Sequence, residues 1–210
     1  MRRTFWLAGI LILTASAASA CGGGTHHSTD PTTTLLPTTT STTPSTLPPA
    51  TTTTVPDPVN IPPTIDAAYV NAVLAQLNHV YGDAQRIEIA TKFLPKSIPP
   101  LLRAIFGDAQ YARELSVFSQ ALQGNQLDGL SPNAGDRKMT AVALSSNSTS
   151  CIQASIVADY RSVDPVAPPS VPGYVVLRPK ISADDPQGVN RTPWMIFYES
   201  NQAPSSGDAC

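Results

Sequence analysis

The chain has 210 residues, with 13 Lys and Arg against 15 Asp and Glu, for a formal charge of −2. The cations are scattered and build no basic stripe that could follow a phosphate backbone, which argues against nucleic acid as a partner. Residues 64–210 have the length of one domain with its own core and are too few for two of typical size.

The amino terminus opens with Arg2 and Arg3, followed by an apolar run over residues 5–13 and the small residues Ala18, Ser19 and Ala20. The run is in the range of a signal-peptide core and roughly half of what a membrane span needs. Ala18-Ser19-Ala20 satisfies the Ala-x-Ala site of an ordinary secretory signal. Cys21 follows at once, before three glycines, and this arrangement resembles the lipobox of a bacterial lipoprotein. The family usually has Leu three residues before the cysteine, where this chain has Ala18. The resemblance implies that Cys21 carries acyl chains such as palmitate and becomes the first mature residue, anchored on the extracytoplasmic face of the cell membrane. Either branch removes residues 1–20, leaves a mature charge of about −4 and puts the protein outside the cytoplasm.

Cysteine usage agrees. The chain has three cysteines, Cys21, Cys151 and Cys210. With Cys21 assigned to lipid, Cys151 and Cys210 are left as a pair in an oxidising compartment. Their bridge would tie the chain end to the middle of the domain, worth about 4 kcal/mol by loop entropy. No histidine lies near either cysteine in sequence, so a metal site is a poor reading.

Residues 21–63 are a Thr- and Pro-rich linker with threonine runs at 32–34, 38–40 and 51–54. Few large apolar residues occur there, so burial cannot offset the entropy of ordering it. Polyproline stretches would reach on the order of 120 Å, and a flexible coil about 35 Å. The composition is also that of O-glycosylated stalks. His26 and His27 fall in this tract and read as a solvated pair.

The domain opens with helical periodicity. Thr64 is a candidate cap with Asp66 in the first turn, and Tyr69, Val73, Leu77, Val80, Ala84 and Ile87 recur at three- and four-residue steps. The helix should end near residues 92–95, with Gly82 a weak point. Pro99 and Pro100 fit the start of a second helical stretch that runs to Leu122, breaks around Gly107-Asp108 and stops at Gly124-Asn125. Beyond Gly135 the period becomes two. Strands are expected over residues 138–144, 151–163, 174–180 and 194–200.

Helices followed by an antiparallel sheet of about four strands make an α+β fold, with the helices packed on one sheet face. Element order and size over residues 64–200 resemble the NTF2-like superfamily, shared with SnoaL-like and ketosteroid-isomerase-like proteins. That resemblance implies a curved, cone-shaped sheet and a helix-lined cavity, used for catalysis in some members and for protein contacts in others.

No Gly-x-Ser-x-Gly elbow, Walker loop or His-Glu-x-x-His motif occurs, and no cofactor is indicated. The domain's single histidine, His79, lies beside the apolar stripe with Ala72 and Arg86. His79, Asp159, Tyr160 and Glu199 are weak pocket candidates: imidazole, carboxyl and phenol groups can shuttle a proton. Asp159 and Tyr160 are neighbours and must point to opposite faces. Asp184 and Asp185 lack the regular ligand ladder of a calcium site. Asn147-Ser148-Thr149 matches a glycosylation sequon and reads as turn chemistry. Trp194, Phe197, Tyr198 and Tyr174 put aromatics on both sheet faces, as core on one side and as a sticky or tail-covered surface on the other.

Two functional classes stay open. One is a tethered, non-catalytic binding or accessory domain for an envelope protein or an apolar ligand. The other is a small cofactor-free enzyme of the SnoaL or isomerase type. The long tether and the lack of a recognisable acid/base pair favour the first.

Overall fold

The structure is a computed structural model that describes residues 56–210. Cys21, the linker histidines and most of the Thr/Pro-rich tract lie outside those residues. Among the described residues, three helices, four strands and a short 3-10 turn make an α+β domain. No helix among the described residues is long and apolar enough to cross a membrane.

Helix α1 spans Ala67–Thr91. Its cap is Asp66, not Thr64: the Asp66 carboxylate accepts the Tyr69 N–H at 2.8 Å. A carboxylate is the better cap here because it also meets the positive end of the helix dipole. The buried stripe runs through Tyr69, Val70, Val73, Leu74, Leu77, Val80, Tyr81 and Ala84. Lys92, in the left-handed region at φ 57°, ends the helix. Gly82 does not break it, and its missing side chain leaves room for the Asp136 carboxylate.

The second helical stretch is two helices, α2 (Ile98–Ile105) and α3 (Asp108–Gln123). Pro99 and Pro100 occupy the first turn of α2, where a missing N–H leaves no bond unmade. Phe106 and Gly107 turn extended, and this break has a structural use. Phe106 bridges Ile196 in parallel, and the Gly107 N–H donates to the Ile196 carbonyl at 2.9 Å. A side chain at position 107 would run into the Phe197 ring.

The sheet is an antiparallel meander of β1 (Lys138–Asn147), β2 (Ile152–Asp159), β3 (Val171–Pro179) and β4 (Trp194–Ser200). The last strand has the expected bounds. The second is shorter than expected: it stops at Asp159, and Tyr160 to Val163 form a turn closed by the Val163 N–H on the Tyr160 carbonyl. Periodicity alone cannot see this stop, because Tyr160 continues the alternation of Ile152, Ala154, Ile156 and Ala158 into the turn. The first and third strands are longer than expected, each adding three residues at one end. Register shifts in β1 and between β3 and β4 mark bulges, which bend strands and increase twist.

Met139, Ala141, Ile152, Ala154, Ile156, Ala158, Val175, Leu177, Trp194 and Ile196 point into one core with the helices. Both sheet edges are capped by the helical layer. At β1, the Ala141 N–H donates to Asn71 Oδ1 at 2.7 Å, and Asn147 Nδ2 donates to the Ile65 carbonyl. At β4, Gly107 and the Gln110 side chain take up backbone groups. An exposed edge is a template for pairing with another chain, and these caps cover part of each.

The other sheet face is crossed by residues 201–210. Tyr198 donates its hydroxyl to the Gln202 carbonyl, Arg178 donates to Ala209, and the Cys210 N–H donates to Gln153 Oε1. Cys151 and Cys210 are disulfide-bonded, as cysteine usage predicts.

Candidate functional site

A set of buried polar residues from several elements converges at one place in the domain interior. Arg137, in the segment leading into β1, is 3 % exposed at its side chain. It donates from both terminal nitrogens to Glu199 on β4, at 2.7 and 2.9 Å, and from Nε to Asn78 Oδ1 on α1 at 2.8 Å. Its guanidinium lies 4.0 Å from the centre of the Tyr81 ring. Phe106 and Phe118 meet that ring edge-on. The Tyr81 hydroxyl donates to Glu114 on α3 at 3.0 Å, and Gln110 Nε2 donates to the other Glu114 oxygen at 2.9 Å. Gln110 in turn accepts the Glu199 N–H, which closes the ring of contacts.

Electrostatics inside this cluster are uneven. Burial disfavours the Arg137 cation, but Glu199, Tyr81, Tyr160 and Glu114 together more than offset it, so its pKa rises above the ordinary arginine value. Burial and repulsion from Glu199 push Glu114 up, against the pull of Arg137 and the bonds from Tyr81 and Gln110. Burial and the nearby carboxylates raise Tyr81 well above an ordinary phenol, and Tyr160 is pushed up to about 12 by burial and by Glu199. The resulting pattern is a buried cation matched by one carboxylate, with a second carboxyl biased toward its protonated form.

Of the four pocket candidates named from the sequence, Tyr160 and Glu199 belong to this cluster. His79 and Asp159 do not. His79 is on the exposed side of α1, with Nδ1 2.9 Å from the Asp136 carboxylate. Asp136 also accepts from Arg86 at 2.7 Å. Asp159 faces outward, where the Arg161 side chain and backbone hydrogen-bond to it and hold its carboxyl at about 2. The opposite orientation of Asp159 and Tyr160 follows the strand alternation. Asp184 and Asp185 are engaged by protein groups: Asp184 by Arg103, and Asp185 by Lys180 and the backbone N–H groups of Val189 and Asn190. Asn147 spends its side-chain amide on Ile65. Trp194 is core, its indole N–H bonded to the Tyr69 hydroxyl at 2.9 Å.

Sequence reasoning missed Arg137, Glu114, Tyr81, Gln110 and Asn78. A signal did exist in α3. Gln110 and Glu114 share the spacing of Phe118 and Ala121, and these four residues are the buried ones of that helix. A matching stripe runs along α1 through Asn78, Tyr81, Gln85 and Glu88, all buried. There the satisfaction is incomplete: Asn78 Nδ2, Gln85 Oε1 and both Glu88 oxygens have no hydrogen-bond partner. Burial pushes Glu88 up to about 8.

No protein-family model matches this chain, and no curated protein or solved structure matches it either.

Proposed function

We propose that this chain is an extracytoplasmic lipoprotein whose α+β domain is tethered to the membrane by lipid on Cys21 and serves as a small non-catalytic binding or accessory module. The observation that carries the reading is the Cys151–Cys210 bond. It leaves Cys21, which follows a signal-like apolar run and the small residues Ala18, Ser19 and Ala20, as the remaining one of the three cysteines in the sequence. A disulfide also favours an oxidising compartment. The Thr/Pro-rich segment then acts as a spacer between anchor and domain. The partner is an envelope protein or an apolar ligand, and the domain has the form of an NTF2-like cone. Supporting that form are the helices on one face of a four-strand meander and the bulges that bend it.

The binding reading is favoured because the ion pair in the buried cluster is spent on structure. Arg137 is held by Glu199 and Asn78 at once. One observation favours the enzyme alternative, namely Glu114, a buried carboxyl biased toward the protonated state and bonded to a phenol.

Detergent phase partition and intact mass of the protein from its own membranes test the anchor. The parent chain should enter the detergent phase with acyl mass on Cys21, and Cys21→Ser should stay in the aqueous phase. An unmodified chain beginning at Cys21 would sink the tether. Replacing Glu114 by Gln tests the second class: binding of the partner should survive it, whereas a proton-transfer activity would not.

A further inference from the structure

Two apolar side chains on the outer face of the sheet, Val176 and Met195, are fully buried although they belong to no part of the main core. In register, Val176 stands between Gln153 on β2 and Tyr198 on β4, and Met195 stands opposite Arg178. Gln153, Tyr198 and Arg178 hold residues 201–210 down: Gln153 through the Cys210 N–H, Tyr198 through the Gln202 and Ala203 carbonyls and Arg178 through the Ala209 carbonyl, while the Ser200 hydroxyl accepts the Gln202 N–H. The segment therefore lies across the row that contains Val176. It has no strand or helix of its own, only a turn in which the Asp208 and Ala209 N–H groups share the Ser205 carbonyl.

A few side chain–backbone hydrogen bonds near the surface are weak restraints for ten residues of irregular chain. The covalent restraint is the bond from Cys210 to Cys151, just ahead of β2. Cys210 is exposed and Cys151 half-buried, so the bridge can be reached from solvent. The domain's inner core lies on the opposite side of the sheet and receives nothing from this segment.

We propose that the Cys151–Cys210 disulfide is a latch: its reduction by an extracytoplasmic dithiol lifts residues 201–210 and uncovers the apolar outer face at Val176 and Met195, while the inner core stays closed. A thiolate of the dithiol attacks Cys210 Sγ, forming a mixed disulfide and releasing the Cys151 thiolate, which takes up a proton. The second thiol of the reductant then attacks the mixed disulfide and frees Cys210 as a thiol. Two electrons and two protons pass to the protein, and the dithiol leaves as a disulfide. Reoxidation restores the cover.

Hydroxyl-radical footprinting of the full chain tests the latch, comparing the disulfide form with a form reduced by dithiothreitol and capped with iodoacetamide. Met195 and Met139 are the two reporters, one on the outer face and one in the inner core. Latch opening predicts that Met195 labels roughly tenfold faster after reduction, with Met139 unchanged. Unchanged labelling at both would mean that the segment stays down without its bond, and the latch would be overturned. An equal rise at both would mean that the bond holds the whole fold, which overturns it too. The Cys210→Ser chain, free of any cap, should repeat the Met195 result.

Discussion

Arg137 and Glu199 meet through two parallel hydrogen bonds inside the domain, with side chains only 3 % and 13 % exposed. Removing one partner leaves the other charge buried and unpaired. Arg137→Met or Glu199→Gln should therefore cost about 3–5 kcal/mol in denaturant unfolding. The double replacement Arg137→Met with Glu199→Leu should recover much of that loss, because an apolar pair avoids the desolvation penalty. Two single variants as stable as the parent would show that the pair is not closed in solution.

Glu88 gives a pH dependence of opposite sign to the usual carboxylate. Its value in the fold is about 8 against an ordinary 4.5, and its oxygens have no partner. Between those values the unfolded chain releases this proton while the fold keeps it, so Glu88 destabilises the fold increasingly as pH rises. Below the lower value both states are protonated and the effect vanishes. Glu88→Gln should leave stability unchanged near pH 4 and raise it by on the order of 3 kcal/mol near pH 7. A gain of the same size at both pH values would refute the assignment.

Asn190 is a buried hub. Its Nδ2 donates to the Ala104 and Trp194 carbonyls at 2.9 and 2.8 Å, and its Oδ1 accepts from the Thr192 N–H and hydroxyl. These bonds stitch the loop before β4 to α2. Asn190→Ala should cost about 3 kcal/mol and leave the Ala104 carbonyl without its donor. Trp194 is next to the lesion, so its fluorescence should shift red along with the drop in thermal midpoint.

His79 should prove nearly silent. It is 57 % exposed at the side chain, and its partner Asp136 is already paired with Arg86. His79→Ala should change stability by less than about 0.5 kcal/mol. Asp136→Ala frees Arg86 from one of its two carboxylates and should cost more than the histidine variant. Equal effects would place the energy in the histidine contact instead.

Periodicity was a good guide wherever one element's own residues set the answer. The stripe of α1, the proline start of α2, the glycine break before α3 and the bounds of β4 follow from side-chain size and spacing on a single segment. Tyr160 and Glu199 could be named because one continues the alternation just past β2 and the other stands on β4, both as polar groups able to move a proton. Arg137 and Glu114 could not. Arg137 reads as loop charge, and Glu114 as an ordinary helical acid, until the chain brings Tyr81 to Glu114 across 33 positions and Arg137 to Glu199 across 62. A sequence pattern has no term for contacts at such separations.

Composition and local pattern alone therefore settled the α+β order, the helix and strand faces and the pairing of Cys151 with Cys210, since each depends on propensity, periodicity or counting. Tertiary structure decided which polar residues are buried together and what covers the sheet's second face. Burial of a charge is tolerable only where a distant partner arrives to meet it, and the fold alone determines that arrival.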